Sequence, residues 1–250
     1  MLTDLLLVLS VSFVLTQVAI FTTTIYLHRC LTHRAVTFAA PVAAVFRLLT
    51  WLTTGIRPRQ WVAVHRKHHA HTDTDDDPHS PVVLGWWRVQ LTNVALYRRA
   101  AADPAVVAKY AKDLPATRLD RVLFDHALVG LGLLVAALVL VLGPVAGALA
   151  AGVHFVAYLA LSGSVNGPGH HFGRRTFAGT SATNLRWLTL LTAGEGLHNH
   201  HHAAPTSARF ARKWSDLDLG WWVIRAARGV RLAEVRHDDV DALAGRSNRG

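Results

Sequence analysis

Residues 127–173 form a run of 47 positions without a single Asp, Glu, Lys or Arg. About 20 apolar helical residues cross a hydrocarbon core of ~30 Å, so this run is long enough for two crossings joined by a turn at Gly143 and Pro144. A second uncharged stretch, residues 5–27, supplies a third. With 51% apolar and 17% charged residues, the composition lies outside that of ordinary soluble enzymes. The pattern predicts an all-α integral membrane bundle with spans at about 5–27, 122–143 and 145–166. All 26 Lys and Arg fall between Arg29 and Arg121 or between Arg174 and Arg249. By the positive-inside rule those segments face the cytoplasm, which predicts an inner (plasma) membrane protein with its polar mass inside. A cleavable leader does not suit residues 1–27, which lack a basic start and a small-residue cleavage site.

Residues 36–56 are apolar but carry Pro41 and Arg47. If they crossed the bilayer, His28 and His33 would be separated from His65, His68 and His69. They are therefore expected to form a helix in the interface, with Arg47 snorkelling and Trp51 at headgroup depth. Residues 57–121 and 167–232 are expected to build a cytoplasmic cap. A second interfacial helix lies near 220–232, so that 1–232 is one domain and 233–250 a frayed tail. A net charge of +10 suits anionic lipid headgroups, an acidic redox partner or a phosphate-bearing substrate. No motif for nucleic acid accompanies it, and none is expected as a partner. The single cysteine, Cys30, excludes an intramolecular disulfide and any thiolate zinc module and is read as packing.

Thirteen of the 16 histidines cluster at the polar edges of the apolar segments. His65, His68 and His69 stand at i, i+3 and i+4, which puts three imidazoles on one helix face. Glu195, His198, His201 and His202 repeat the spacing, so two helices are expected to pinch metal between them. His28 and His33 lie about 140° apart on an ideal α-helix. One of them therefore sits past the helix end, or each serves a different metal. Asn166 and His170 are four apart but separated by Gly167, Pro168 and Gly169, so that pair either shares a face or straddles a break. Nine imidazoles exceed what one four-coordinate ion takes and call for two metals, with Asn166 as an oxygen donor directly or through water. Imidazole alone does not separate iron from zinc, copper or nickel. A solvated metal-binding loop is the bland alternative.

Around these boxes, Asp73 and Asp77 belong to a turn whose carboxylates can accept hydrogen bonds from ligand imidazoles, and His79 and Glu195 can orient ligands as well. His71, His171 and His200 are read either in that way or as simple surface residues. His154, Tyr158 and Ser162 form a polar stripe that lines a cavity or bonds a neighbouring helix, the structural role being favoured.

The segments HRCLTH, WVAVHRKHH with TDTDDDPH, NGPGH and GEGLHNHHHAAPTSAR closely resemble the motifs of membrane fatty acyl desaturases, in the acyl-CoA branch. The likeness covers nearly all of residues 25–209. It implies a dinuclear iron centre that uses O2 and two electrons to introduce a cis double bond into a saturated acyl chain. It also implies iron ligation by His28, His33, His65, His68, His69, His170, His198, His201 and His202, with Asn166 holding a metal-bound water. The family resemblance further implies an acyl-CoA or acyl-carrier-protein substrate in a kinked tunnel. Relatives often carry Tyr where His200 stands. No His-Pro-Gly-Gly haem motif occurs in the sequence, so the electron donor is expected to be separate, a ferredoxin or a flavin-containing reductase. Arg57, Arg59, Arg174 and Arg175 are candidates by location for gripping the substrate's phosphates.

The same residues admit two rival functions. A related di-iron hydroxylase of alkanes, sterols or carotenoids needs nearly the same cluster, although the alkane-hydroxylase motif is absent. A metal transporter needs ionisable residues along its spans, where only Asp125 and His154 lie.

Overall fold

A computed structural model describes residues 2–247. The first helix, α1 (Leu2–Thr22), continues directly into a π-helical segment, Thr23–Thr32, to make one rod. After it come β1 (Val36–Phe38), α2 (Ala40–Thr54), α3 (Pro58–Ala70), α4 (Pro81–Leu84), α5 (Trp86–Ala101) and α6 (Pro104–Tyr110). The chain then forms α7 (Ala127–Leu142), α8 (Pro144–Asn166), α9 (Arg186–Leu191), α10 (His198–Ala203), α11 (Leu219–Gly229), β2 (Ala233–Val235) and α12 (Val240–Ser247). Proline opens α2, α3, α4, α6, α7's partner α8, and the 3-10 turn that follows it. Its fixed φ suits a first turn where no amide donor is needed.

Two rods, Leu2–Thr32 and Pro144–His170, are long and apolar enough to cross a membrane, yet only 33% and 28% of their most apolar windows are buried. A core helix of a soluble protein would be covered on most sides; these expose Leu5, Leu9, Phe13, Leu149, Val153 and Val156 instead. The two rods are joined by a polar seam. Ser12 Oγ donates to Ala150 O at 3.1 Å, Thr16 Oγ1 meets His154 Nδ1 at 3.2 Å, and Thr23 Oγ1 meets Tyr158 OH at 2.8 Å. His154 Nε2 also reaches Thr53 O at 2.8 Å. The stripe of His154 and Tyr158 is thus interhelical glue between α1, α2 and α8.

The middle apolar helix differs from the expected span at 122–143. Residues Asp120–Phe124 form a separate π-turn, and α7 begins only at Ala127, after a break at Asp125 and His126. Its 16 residues reach about 24 Å, short of a full hydrocarbon core. It lies tightly on α8, because a Cβ at Gly147 would stand 2.5 Å from Val139 N. Gly147→Val is expected to cost about 1–3 kcal/mol by overpacking, read as a lower unfolding temperature in detergent. An unchanged midpoint would show that the two helices are free to part.

The segment 36–56 also departs from its expectation. Its first residues pair as a β-ribbon, Val36 with Val235 and Phe38 with Ala233, so the described residues, otherwise mostly helical, include a short antiparallel pair. Arg47 does not snorkel freely: it pairs with Asp120, and its guanidinium lies 4.1 Å from the Phe124 ring centroid. Trp51 is buried rather than at the headgroups. It wedges between α2 and α7, donating to His126 O at 3.2 Å, and leaves no room for a Cβ at Gly130.

Residues 233–247 are not frayed. Beyond β2, His237 O accepts the Ala208 amide at 2.8 Å, and α12 buries Val240 and Ala244. The remainder of the expected tail, 248–250, lies outside the described residues. Near 220–232 the helix is α11, whose Trp221 and Ile224 enter a core with Ile25, Val36 and Phe38 while Trp222, Val223, Arg225 and Arg228 face outward. The ribbon and α11 thereby fasten the cap to the end of the α1 rod.

Candidate metal centre

The HRKHH helix, α3, is held against the π-segment by Arg66. Its guanidinium donates to Leu31 O at 2.9 Å, Thr32 O at 3.0 Å and Tyr110 O at 2.9 Å, and pairs with Asp113 at 2.5 Å. That clamp brings His65 and His69 to His28 and His33. The last helix, α10, is short and is anchored by Asn199, which accepts from the amides of Thr176 and Phe177 and donates to Phe177 O and Ala182 O.

The nine imidazoles singled out from the sequence converge into two groups. His28, His33, His65, His69 and His201 form one, and His68, His170, His198 and His202 the other, with donor atoms in each within 4.8 Å of one another. Each helix serves both groups. The i and i+4 members of α3, His65 and His69, enter the first group and its i+3 member, His68, the second. On α10 the i and i+4 members, His198 and His202, enter the second and His201 the first. The imidazoles of the two helices face one another, but the i+3 residue of each helix crosses to the other pocket.

His28 and His33 share one pocket because the rod changes pitch. The π-segment bonds i+5 to i, as His33 N to His28 O at 3.1 Å, and residues five apart then stack on one side. Their ring centroids are 4.8 Å apart. Since His33 and His65 meet in one group, both ends of the segment between them return to the same end of the molecule. Asn166 and His170 straddle a break: α8 ends at Asn166, and Pro168–His170 form a 3-10 turn.

On three of the rings the far nitrogen meets a carboxylate. His28 Nδ1 bonds Glu195 Oε1 at 2.7 Å, His68 Nδ1 bonds Asp77 Oδ2 at 2.9 Å, and His170 Nδ1 bonds Asp73 Oδ2 at 3.0 Å. These partners assign Nδ1–H as the donor and leave the Nε2 lone pair pointing inward. Asp73 adopts φ 60, a left-handed conformation that Asp tolerates, and its amide donates to Asp77 Oδ2 at 2.9 Å. Thr24 donates to Glu195, whose turn is not part of α10. His79 stacks on His68 with centroids 4.6 Å apart.

In the first group His201 Nε2 stands 3.0 Å from His28 Nε2 and 2.9 Å from His69 Nε2, and His69 Nε2 is 3.1 Å from His65 Nε2. In the second, His198 Nε2 stands 3.0 Å from His170 Nε2 and 3.2 Å from His202 Nε2. Nitrogens with inward lone pairs at such separations repel unless a cation lies among them. Burial, followed by the neighbouring imidazoles, pushes the pKa values of His33, His65, His69, His198, His201 and His202 well below the ordinary histidine value. Neutral, convergent imidazole is the form that ligates metal. Burial would raise the Asp77 carboxyl, but the hydrogen bond and charge of His68, with His79, hold it at about 2. The histidine clusters are compatible with a metal site. Removing one orienting carboxylate, Asp77→Asn, is expected to weaken metal binding about 10- to 100-fold, measured by titration. Parent-like affinity would show that His68 needs no orientation.

Other candidates fall elsewhere. His71 bonds Tyr110 OH at 2.9 Å, and His171 lies exposed against Trp86. His200 ties Phe210 O to Thr176 Oγ1, each at 2.9 Å, and so is a strut between loops. Arg57 and Arg59 lie exposed at the start of α3, as do Arg174 and Arg175 in the loop after the 3-10 turn. The spacing argument missed Trp61, which stacks on His65 with centroids 4.8 Å apart, although its i−4 position marked it. It also missed Phe210, Arg29 and Asp218, for which no local signal exists.

Comparison with known proteins identifies the family. Residues 4–237 match the fatty acid desaturase family. The chain is 34% identical to an sn-1 stearoyl-lipid 9-desaturase of Anabaena variabilis, over 84% of this chain and 76% of that protein. It is 33% identical to an sn-2 palmitoyl-lipid 9-desaturase of Nostoc sp. (strain 36), over 83% and 73%. It is 31% identical to an acyl-CoA C20 Delta5-desaturase of Anemone leveillei, over 86% and 68%. With its two apolar rods and histidine clusters, the chain belongs to the fatty acid desaturase family and is a membrane-associated oxidoreductase of that family.

Proposed function

We propose that this enzyme uses O2 and a di-iron centre to introduce a cis double bond into a saturated acyl chain carried by a membrane lipid or coenzyme A. The observation that carries the reading is the meeting of nine imidazoles in two adjacent buried groups at one end of the apolar rods. The ligands would be His28, His33, His65, His69 and His201 for one iron and His68, His170, His198 and His202 for the other. Asn166 Oδ1 is buried and without a hydrogen-bond partner, as suits an oxygen that receives a metal-bound water. Overall, the chain's two hydrogens, O2, two electrons and two protons would become the alkene and two waters. The iron pair supplies the oxidising power that no side chain has for an aliphatic C–H bond.

The protein's own part is orientation and exclusion of water. Glu195, Asp77 and Asp73 fix the imidazoles of His28, His68 and His170, with His79 stacked behind His68. Trp61 and Phe210 shield the flank of the five-imidazole group. Arg57, Arg59, Arg174 and Arg175 would meet an anionic headgroup. Electrons would come from a ferredoxin or a flavin-containing reductase. The site would face the cytoplasm from the plasma membrane, within one domain that also takes in β2 and α12.

Expressing the chain in a host that lacks the product, with donor supplied, and analysing fatty acid methyl esters tests this. A new cis-monoene that disappears without oxygen is expected; an unchanged profile or a hydroxylated product would overturn the proposal.

A further inference from the structure

Arg29 lies between His28 and Cys30 inside the first box, and its side chain is completely buried. Its guanidinium forks onto Asp218, also completely buried, with Nη2 to Oδ1 at 2.8 Å and Nη1 to Oδ2 at 3.3 Å. Nη1 also donates to Ala208 O at 2.8 Å. Replacing a buried ion pair with apolar residues is often neutral or stabilising, so stability alone does not account for it. The third partner does: the guanidinium lies 3.8 Å from the centroid of the Phe210 ring.

Phe210 is held at three points. Asp218 Oδ2 accepts its amide at 2.6 Å, His200 Nδ1 meets its carbonyl at 2.9 Å, and Arg29 covers its ring. The ring packs in turn on His201, with centroids 4.7 Å apart, and on His28, at 5.7 Å. Both imidazoles belong to the five-membered group. Asp218 also accepts the Trp221 amide at 2.9 Å, so the start of α11 is tied to the same clamp.

We propose that Arg29 and Asp218 are positioning residues that set the five-imidazole site by pressing Phe210 against His28 and His201. Their effect is selective: the four-imidazole group is oriented by Asp73 and Asp77, on a different part of the chain. The proposal rests on the two-metal reading above and adds which residues shape one metal site without ligating it.

The test is a Co2+ titration of the full chain in detergent, followed by visible absorption and by metal per chain. The parent is expected to bind two ions. Arg29→Lys and Phe210→Leu are expected to bind one as the parent does and the other about 10- to 100-fold more weakly, with a changed spectrum for that ion alone. Phe210→Leu leaves the ion pair intact, so it decides the matter if Arg29→Lys does not fold. Adding Asp77→Asn to Phe210→Leu should weaken both sites. Two parent-like ions in a natively eluting Phe210→Leu chain would overturn the proposal, as would equal weakening of both. A parent that binds fewer than two ions would sink the two-metal reading itself, and the clamp's role with it.

Discussion

His201→Ala is expected to yield none of the monoene that the parent makes, a loss of at least ~100-fold, together with metal from the five-imidazole site. His201 is the hinge of that group. Its Nε2 is the contact that joins His28 of the π-segment to His69 of α3, at 3.0 and 2.9 Å. Without it the two elements face one another across a cavity, and a ligand set displaced by about 1 Å already costs on the order of 100-fold in rate. The check is methyl-ester analysis beside metal content in the same purified sample. Substantial monoene from a His201→Ala chain would exclude that group from the chemistry.

Acidifying the metal-free chain is expected to unfold it well above the pH at which carboxylates titrate. Six buried imidazoles have pKa values well below 6.5, through burial first and neighbouring imidazoles second. In the unfolded chain the same groups titrate near 6.5. Below 6.5 the unfolded state therefore binds more protons, and stability falls as pH falls. The stabilisation is fully present above 6.5 and is lost on the way down to the folded values; His79, a seventh buried imidazole, follows the same course down to about 3. Each proton taken up only on unfolding contributes about 1.4 kcal/mol per pH unit. Asp77, held at about 2, adds its own loss only below the ordinary carboxylate range. Unfolding temperatures from pH 7.5 to 5 should drop steeply. A flat profile would mean that the imidazoles are solvated and not buried together.

The histidine boxes were legible because helical spacing is local: i, i+3 and i+4 share a face wherever a helix forms. Spacing did not show that the i+3 residue of each helix serves the opposite pocket, since that depends on how α3 and α10 cross. The His28 and His33 pair looked inconsistent only on an assumed α-helical pitch, and the π-segment removes the difficulty. The break at Asp125 and His126 shortened a span that hydropathy alone extended to residue 122, because a turn of polar residues is invisible to an apolar count. The tail looked frayed for the opposite reason. Its partners, Val36 to Phe38, lie almost 200 residues earlier, and a three-residue strand has no signature until it finds them.

Composition and spacing by themselves determined that the chain is helical and membrane-associated and that its histidines gather at the polar edges of the apolar segments. Those properties follow from burying apolar runs and from helical periodicity, which act over a few residues. Tertiary structure alone decided the split into five and four, which carboxylate meets His28, His68 and His170, and the burial of Arg29 against Asp218. Apart from the local pair of His68 and Asp77, those are contacts between segments about a hundred residues or more apart, and they exist only once the rods, the ribbon and α11 have closed around them.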